Sequence, residues 1–257
     1  MQNPMLNIAI QAARAAGRVI TRSMSKMETI RVDVKGRNDL VTEVDKKSEQ
    51  EIIWNIQQAF PDHGFLAEES GQHSGNEYTW IIDPLDGTMN FVHGFPQFSI
   101  SIALTKNGNL HLGLVYDPLR NELFTAIKGK GAYLDNRRIR VSKINKMSRA
   151  LIGTGFPYRS DDEVDIYTPQ LAEVTKRAAG VRRAGSAALD LAYVACGRLD
   201  AFWESGIQPW DVAAGILLVR EAGGICTDYK SNTDCLHSGK YLAANGHLQQ
   251  AMLNIVK

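Results

Sequence analysis

The sequence predicts an α+β fold laid out as one domain of two layered lobes, roughly 1–145 and 146–257. Three observations carry that expectation. The first half holds a succession of short apolar runs joined by tight-turn dipeptides, as consecutive antiparallel strands require. The second half alternates strand-like runs with Ala- and Leu-rich helical runs. No Pro/Ser-rich linker, low-complexity tract or internal repeat separates the two.

Asn3-Pro4 supplies a cap and a first-turn proline for a helix striped with Leu6, Ile8, Ala9, Ala12, Ala13, Ala16, Val19 and Ile20. Residues 31–34 alternate like a strand and 35–39 form a polar loop. A second helix begins near Glu43, carries Val44, Ile52, Ile53, Ile56 and Phe60 on one side, and stops at Pro61-Asp62-His63-Gly64. Residues 65–67 form a brief strand, and 72–77 a polar loop. The runs 98–104 and 110–115 flank Asn107-Gly108, a strong hairpin signal. Strands follow at 122–127, 132–134 and 138–141, with Asp135-Asn136 as a turn. Strands are then expected at 151–155, 180–183, 199–204, 224–229 and 241–244, and helices at 167–178, 186–195, 210–222 and 247–256.

Composition is that of an ordinary globular chain: 44% hydrophobic and 22% charged over 257 residues. Lys plus Arg (29) nearly cancels Asp plus Glu (28), which argues against a dedicated nucleic-acid or membrane-surface binder. Cys196, Cys226 and Cys235 are too few and odd in number for a disulfide framework and suit a reducing cytoplasm. No basic and apolar leader opens the sequence, and no apolar run approaches the roughly 20 residues that span a bilayer. The expected location is the cytoplasm, without membrane partners.

The chemistry gathers around Trp80-Ile81-Ile82-Asp83-Pro84-Leu85-Asp86-Gly87-Thr88-Met89-Asn90-Phe91. An apolar run reads as a buried strand, and the polar residues after it as the turn at its end. Pro-x-Asp-Gly alone is ordinary turn chemistry. Glu68, Asp83, Asp86 and Asp211, however, all stand at expected strand ends or at a helix start, with Asp39 and Asp45 near another helix start. Gathered carboxylates repel one another, and a bound cation resolves that conflict. Oxygen ligands without Cys or His point to magnesium, with manganese as a lesser option. The six histidines are scattered without metal-ligand spacing, which argues against zinc. Gly87 admits a close ligand, the following amides can hold an anion, and the Thr88 hydroxyl can orient a water. Two ions there would suit an in-line phosphoryl displacement. Gly129-Lys130-Gly131 and Gly153-Thr154-Gly155 complete no dinucleotide fingerprint.

Asp83-Pro84-Leu85-Asp86-Gly87-Thr88-Met89-Asn90-Phe91 resembles the D-P-[IL]-D-G-T-x-N-F signature of the inositol monophosphatase family. Trp210-Asp211-Val212-Ala213-Ala214-Gly215 resembles its W-D-x-A-x-G signature. Glu68-Glu69-Ser70 and Asp39-Leu40-Val41-Thr42-Glu43-Val44-Asp45 are similar to two further family blocks, and the resemblance runs nearly end to end. It implies a layered α-β-α-β-α sandwich of the inositol monophosphatase and sugar bisphosphatase type, a homodimer, two or three magnesium ions and inhibition by lithium. It implies Glu68, Asp83 and the Leu85 carbonyl as ligands of one magnesium, and Asp83, Asp86 and Asp211 as ligands of another. Thr88 with Asp45 would orient the attacking water, Glu68 would take part in catalysis, and the Gly87 and Thr88 amides would hold phosphate. Asp86, Arg182, Gly185, Ser186, Ala187, Glu204 and Asp211 would line the substrate side. Met89 departs from the commoner threonine at a variable position, where a packing change is expected.

The implied reaction is hydrolysis of inositol monophosphates, with sugar bisphosphates or nucleotide 3′-phosphates as alternatives. The blocks around Tyr116-Asp117-Pro118 and Arg182-Arg183-Ala184-Gly185 are similar to the bacterial SuhB branch. That branch implies a second job in transcription antitermination, with RNA polymerase and Nus proteins on ribosomal RNA operons.

Overall fold

The structure is a computed structural model describing residues 3–25, 32–36, 39–157 and 161–257. Helix α1, Pro4–Met24, starts as expected: Asn3 Oδ1 accepts from the Met5 and Leu6 amides, and Pro4 fills a first-turn position that needs no amide. Ala9, Ala12, Ala13, Ala16 and Ile20 are fully buried. Their small side chains let α1 close on helix α2, Glu43–Ala59.

Between the two helices, β1 (Val32–Gly36) and β2 (Asp39–Thr42) pair as an antiparallel ribbon. Asp39, expected in a loop, therefore opens a strand, because Asp39 to Thr42 pairs back on β1. Arg31, Arg37 and Asn38 lie outside the described residues.

The larger sheet comprises β3 (Gly64–Ala67), β4 (Gly71–His73), β5 (Tyr78–Asp86), β6 (Ser99–Lys106), β7 (Asn109–Asp117), β8 (Glu122–Ile127), β9 (Gly131–Leu134) and β10 (Arg137–Arg138). Its strand order is β10-β9-β8-β7-β6-β5-β3-β4, antiparallel except for the parallel β3–β5 pair. Asn107 (φ 50°) and Gly108 (φ 75°) make the β6–β7 turn, and Asp135 (φ 47°) and Asn136 (φ 65°) the β9–β10 turn. Both have the two positive φ values of the hairpin turn that matches strand twist. Strand β4 falls where a polar loop was expected: an edge strand needs no apolar alternation when its outer side faces water. Strand β10 ends early because Val141 donates to Ala222 across the molecule and leaves the sheet.

A short helix α3, Thr88–Val92, follows β5. The second half forms β11 (Leu151–Thr154), α4 (Asp161–Arg177), β12 (Gly180–Arg182), α5 (Ala187–Ala195), β13 (Ala201–Ser205), α6 (Pro209–Glu221), β14 (Ile225–Thr227), β15 (Lys240–Ala244) and α7 (Gln249–Val256). Helix α4 begins earlier than the periodicity at 167–178 indicated, since its first turns are acidic and polar, as a helix start favours. The smaller sheet is ordered β12-β11-β13-β15-β14.

The elements stack in five layers. Helices α1 and α2 cover one face of the larger sheet, around Trp80, Ile82, Ile102 and Leu104. Helices α5 and α6 fill the space between the two sheets, and α4 and α7 close the far side over Trp203 and Leu242. This is the α-β-α-β-α sandwich. Glycine sets the central spacing: a Cβ on Gly113 of β7 would come within 2.8 Å of the Ala214 carbonyl oxygen, and one on Gly215 within 2.5 Å of the Leu191 side chain. Fully burying each large apolar side chain in these layers contributes about 1.5–3 kcal/mol.

Candidate active site

Strand β5 delivers the central residues. Trp80, Ile81 and Ile82 anchor it in the core, and pairing with β6 slips between Asp83 and Asp86. The irregularity at Pro84-Leu85 turns both aspartates toward one cavity. Gly87 then adopts φ 97°, and a Cβ there would approach the Gln97 and Gly185 carbonyls to 3.0 Å. Only glycine fits such a turn without strain, and α3 starts directly behind it.

Helix α2 braces this turn. Asp45 Oδ2 accepts from the Thr42 amide (2.8 Å) and hydroxyl (2.5 Å), completing a capping box. Its other oxygen accepts from Thr88 Oγ1 at 2.8 Å. One turn on, Ser48 Oγ donates to the Pro84 carbonyl (2.8 Å). Glu49 accepts from the amides of Glu69 and Ser70 at 2.8 and 2.9 Å, which fixes the turn that carries Glu68.

The second half supplies the opposite wall. Asp86 Oδ2 accepts from Ser186 Oγ (2.5 Å) and the Ala188 amide (2.8 Å) at the start of α5. Asn90 Nδ2 donates to the Gln97 and Ala184 carbonyls at 2.7 and 2.9 Å, tying α3 to the loop before α5. Asp211 Oδ2 accepts from the Gln208 amide (2.6 Å) at the first turn of α6.

These elements enclose a cavity of about 160 Å³ lined by Glu68, Asp83, Leu85, Asp86, Gly87, Thr88, Gly185, Ala187, Glu204 and Asp211, with Met89, Thr154, Gly155, Arg183, Asp190 and Ile207 completing it. Burial, then the charges of Glu68, Asp86 and Asp211, raise the Asp83 carboxyl well above its usual range. Burial pushes Asp86 up to about 6 against the opposing bonds from Ser186 and Ala188. Burial and then Asp190, Asp211 and Asp86 raise Glu204, with Arg183 opposing. The cavity is therefore short of positive charge.

The donor set fits a hard cation. Its side-chain ligands are carboxylates, neither imidazole nor thiol lines the cavity, and the Leu85 backbone is at hand. Among the described residues no three His, Cys, Asp or Glu side chains already converge tightly enough to grip one ion. Asp83, Asp86 and Asp211 each accept a backbone amide, from Leu85, Ala188 and Gln208.

A sequence model of the inositol monophosphatase family matches residues 1–257. The chain belongs to that family. It is 47% identical to the Nus factor SuhB of Pseudomonas aeruginosa, an alignment covering 99% of this chain and 96% of that protein. It is 43% identical to the inositol-1-monophosphatase of Mesorhizobium japonicum, covering 100% and 97% of the two chains. The crystal structure of the suhB suppressor protein from Bartonella henselae superposes with a TM-score of 0.97 at 42% identity, over 99% of each chain. Family membership makes the chain a phosphatase.

Three of the expected site residues lie outside the cavity lining. Arg182 does not reach the cavity: it is exposed, its guanidinium donates to the Val181 carbonyl, and the next residue, Arg183, takes the wall. Strand β12 ends at Arg182, and Arg183 is the first residue past it. Ser186 is buried behind Asp86, with its hydroxyl on Asp86 and Ser99, so the hydroxyl holds a carboxylate. Asp45 likewise stands behind Thr88 and outside the cavity lining. Sequence reading passed over Ser48, Glu49, Arg183 and Asp190. Ser48 and Glu49 carried a usable signal, since they follow Asp45 at i+3 and i+4 on one helix face.

Proposed function

We propose that the chain is a magnesium-dependent phosphomonoesterase that hydrolyses inositol monophosphates to inositol and phosphate. The observation that carries this reading is the set of four carboxylates, Glu68, Asp83, Asp86 and Asp211, on one cavity with the hydrogen-bonded Thr88–Asp45 pair. The relative named inositol-1-monophosphatase supports the choice of substrate.

Glu68, Asp83 and the Leu85 carbonyl would hold one magnesium ion, and Asp83, Asp86 and Asp211 a second. Magnesium bound there supplies charge neutralisation for the phosphate and activates water. Thr88 Oγ1 donates to Asp45 Oδ1, so its lone pairs are open to a water proton. In the hydrolytic step the water proton passes to Thr88 Oγ1 as the Thr88 proton moves to Asp45 Oδ1. The water oxygen bonds phosphorus, the ester P–O bond breaks, and the departing alkoxide takes a proton from solvent. Burial raises the Asp45 carboxyl above its usual range and so strengthens its hold on that proton. The Gly87 and Thr88 amides donate to phosphate oxygens, while Gly185, Ala187 and Glu204 meet the alcohol, with Asp86 and Asp211 at the junction.

The test is phosphate release from inositol monophosphates, fructose bisphosphate and nucleotide 3′-phosphates, with and without lithium. Inositol monophosphates are expected to turn over fastest. Asp86→Asn is expected to abolish release while melting stays cooperative; full turnover in that variant would overturn the reading.

A second reading, as a Nus-type transcription antitermination factor with RNA polymerase and Nus proteins, rests on the similarity to the Pseudomonas Nus factor. Co-purification of RNA polymerase and Nus proteins with the chain supports it; recovery of neither removes it.

A further inference from the structure

Asp190 is a buried carboxylate that the hydrolytic step does not use. It sits in the first turns of α5, 1% exposed, and neither of its oxygens has a hydrogen-bond partner. Other buried acids are well supplied: Asp45, Asp117, Asp200 and Glu49 each accept on both oxygens, and Asp86 accepts two bonds on one. A desolvated carboxylate without donors is costly, so it asks for a donor that arrives from elsewhere.

Its position says where that donor comes from. Asp190 lines the catalytic cavity on the wall it shares with Thr154, Gly155, Arg183 and Glu204. The wall is built on glycine. A Cβ on Gly153 would lie 3.6 Å from Asp190 Cγ and 2.8 Å from Leu199 Cδ1, and a Cβ on Gly155 would overlap the Glu204 carboxylate. Gly155 thus makes room for the Glu204 carboxylate, while Gly153 makes room for Leu199 and leaves Asp190 at ordinary contact distance. Against these two stands Arg183, its guanidinium 5.4 Å over the Phe156 ring.

We propose that Asp190 and Glu204 form a paired hydroxyl acceptor that selects a neutral, polyhydroxylated alcohol as the leaving group, with Asp190 the specificity-determining residue. This rests on the phosphomonoesterase reading and adds what the alcohol must be. Carboxyl oxygens left without donors in a desolvated wall accept substrate hydroxyls strongly. Two carboxyls facing a single arginine also leave a second phosphate or a carboxylate no net positive charge to meet at that end. Selection thus combines attraction of hydroxyls with rejection of anions.

The experiment compares the magnesium-loaded wild type with Asp190→Asn on inositol 1-phosphate, phenyl phosphate and fructose 1,6-bisphosphate. Asparagine keeps the shape but loses one acceptor and the charge. For inositol 1-phosphate kcat/KM is expected to fall about tenfold to a hundredfold. Phenyl phosphate, which offers no hydroxyl, should be unaffected, and discrimination against the bisphosphate should narrow. Equal losses on all three esters would assign Asp190 a structural role and overturn the proposal, as would no loss on any. If Asp190→Asn does not melt cooperatively, Asp190→Ser takes its place in the same comparison. A wild type that releases phosphate from no ester overturns the hydrolase reading and this proposal together; a variant that keeps the selectivity of an active wild type overturns the Asp190 assignment alone.

Discussion

The Thr88–Asp45 pair joins two tasks in one carboxylate. Asp45 closes the α2 capping box through Thr42 with one oxygen and holds the Thr88 hydroxyl with the other. Because the cap fixes the Asp45 side chain, the Thr88 hydroxyl keeps an acceptor at 2.8 Å, with the Leu85 carbonyl a second at 3.0 Å. Thr88→Val keeps the shape and removes the hydroxyl. Its kcat is expected to drop by about 10²–10⁴ with KM little changed, and Thr88→Ser should restore most of the loss. Steady-state kinetics on the three proteins checks this; unchanged turnover in the valine variant would remove Thr88 from proton transfer.

At the scale of the element, α2 is a brace with an apolar side and a polar end. Val44, Ile52 and Ile56 bury it against the larger sheet, while Asp45, Ser48 and Glu49 reach Thr88, Pro84 and the turn after Glu68. One helix thereby sets the distance between the segment carrying Glu68 and the segment carrying Asp83 and Asp86. Glu49→Gln places an amide group against one of two backbone N–H donors. Stability is expected to fall by about 1–3 kcal/mol, read from urea denaturation. The half-saturating magnesium concentration should rise about tenfold, read by calorimetric titration in the absence of substrate. A variant that loses stability but binds magnesium as the wild type does would confine Glu49 to a structural role. The apolar side of α2 was legible in its period, and its capping box in Thr42 and Asp45. The partners of the polar end were not, because they lie 43, 36 and 20 residues further along the chain.

At the scale of the whole molecule, the middle layer matters most. Helices α5 and α6 come from the second half of the chain yet pack against both sheets. Asp86 bonds to Ser186 and Ala188, and Ser101 donates to the Trp210 carbonyl, so the two halves also meet through polar contacts around the cavity. Neither sheet keeps a covered inner face if that layer leaves. Thermal unfolding is therefore expected as one cooperative transition, with calorimetric and van't Hoff enthalpies equal. Two resolved transitions, with Trp80 and Trp203 reporting different midpoints in single-tryptophan variants, would show instead that the lobes unfold separately.

What the sequence determined by itself was the family, with its phosphatase class, and most of the layering. The Asn107-Gly108 and Asp135-Asn136 turns, the α1 stripe and the acidic end of β5 are local, so a pattern a few residues long discloses them. The resemblance of ordered motifs then placed Glu68 and Asp211 beside Asp83 and Asp86. Tertiary structure alone decided which arginine faces the cavity, that Ser186 holds Asp86, and that Asp190 lies unpartnered on the wall with Glu204. Those outcomes turn on where β12 ends and on glycine-sized gaps between distant segments. Such distances follow from how the layers pack, and no single stretch of the chain encodes them.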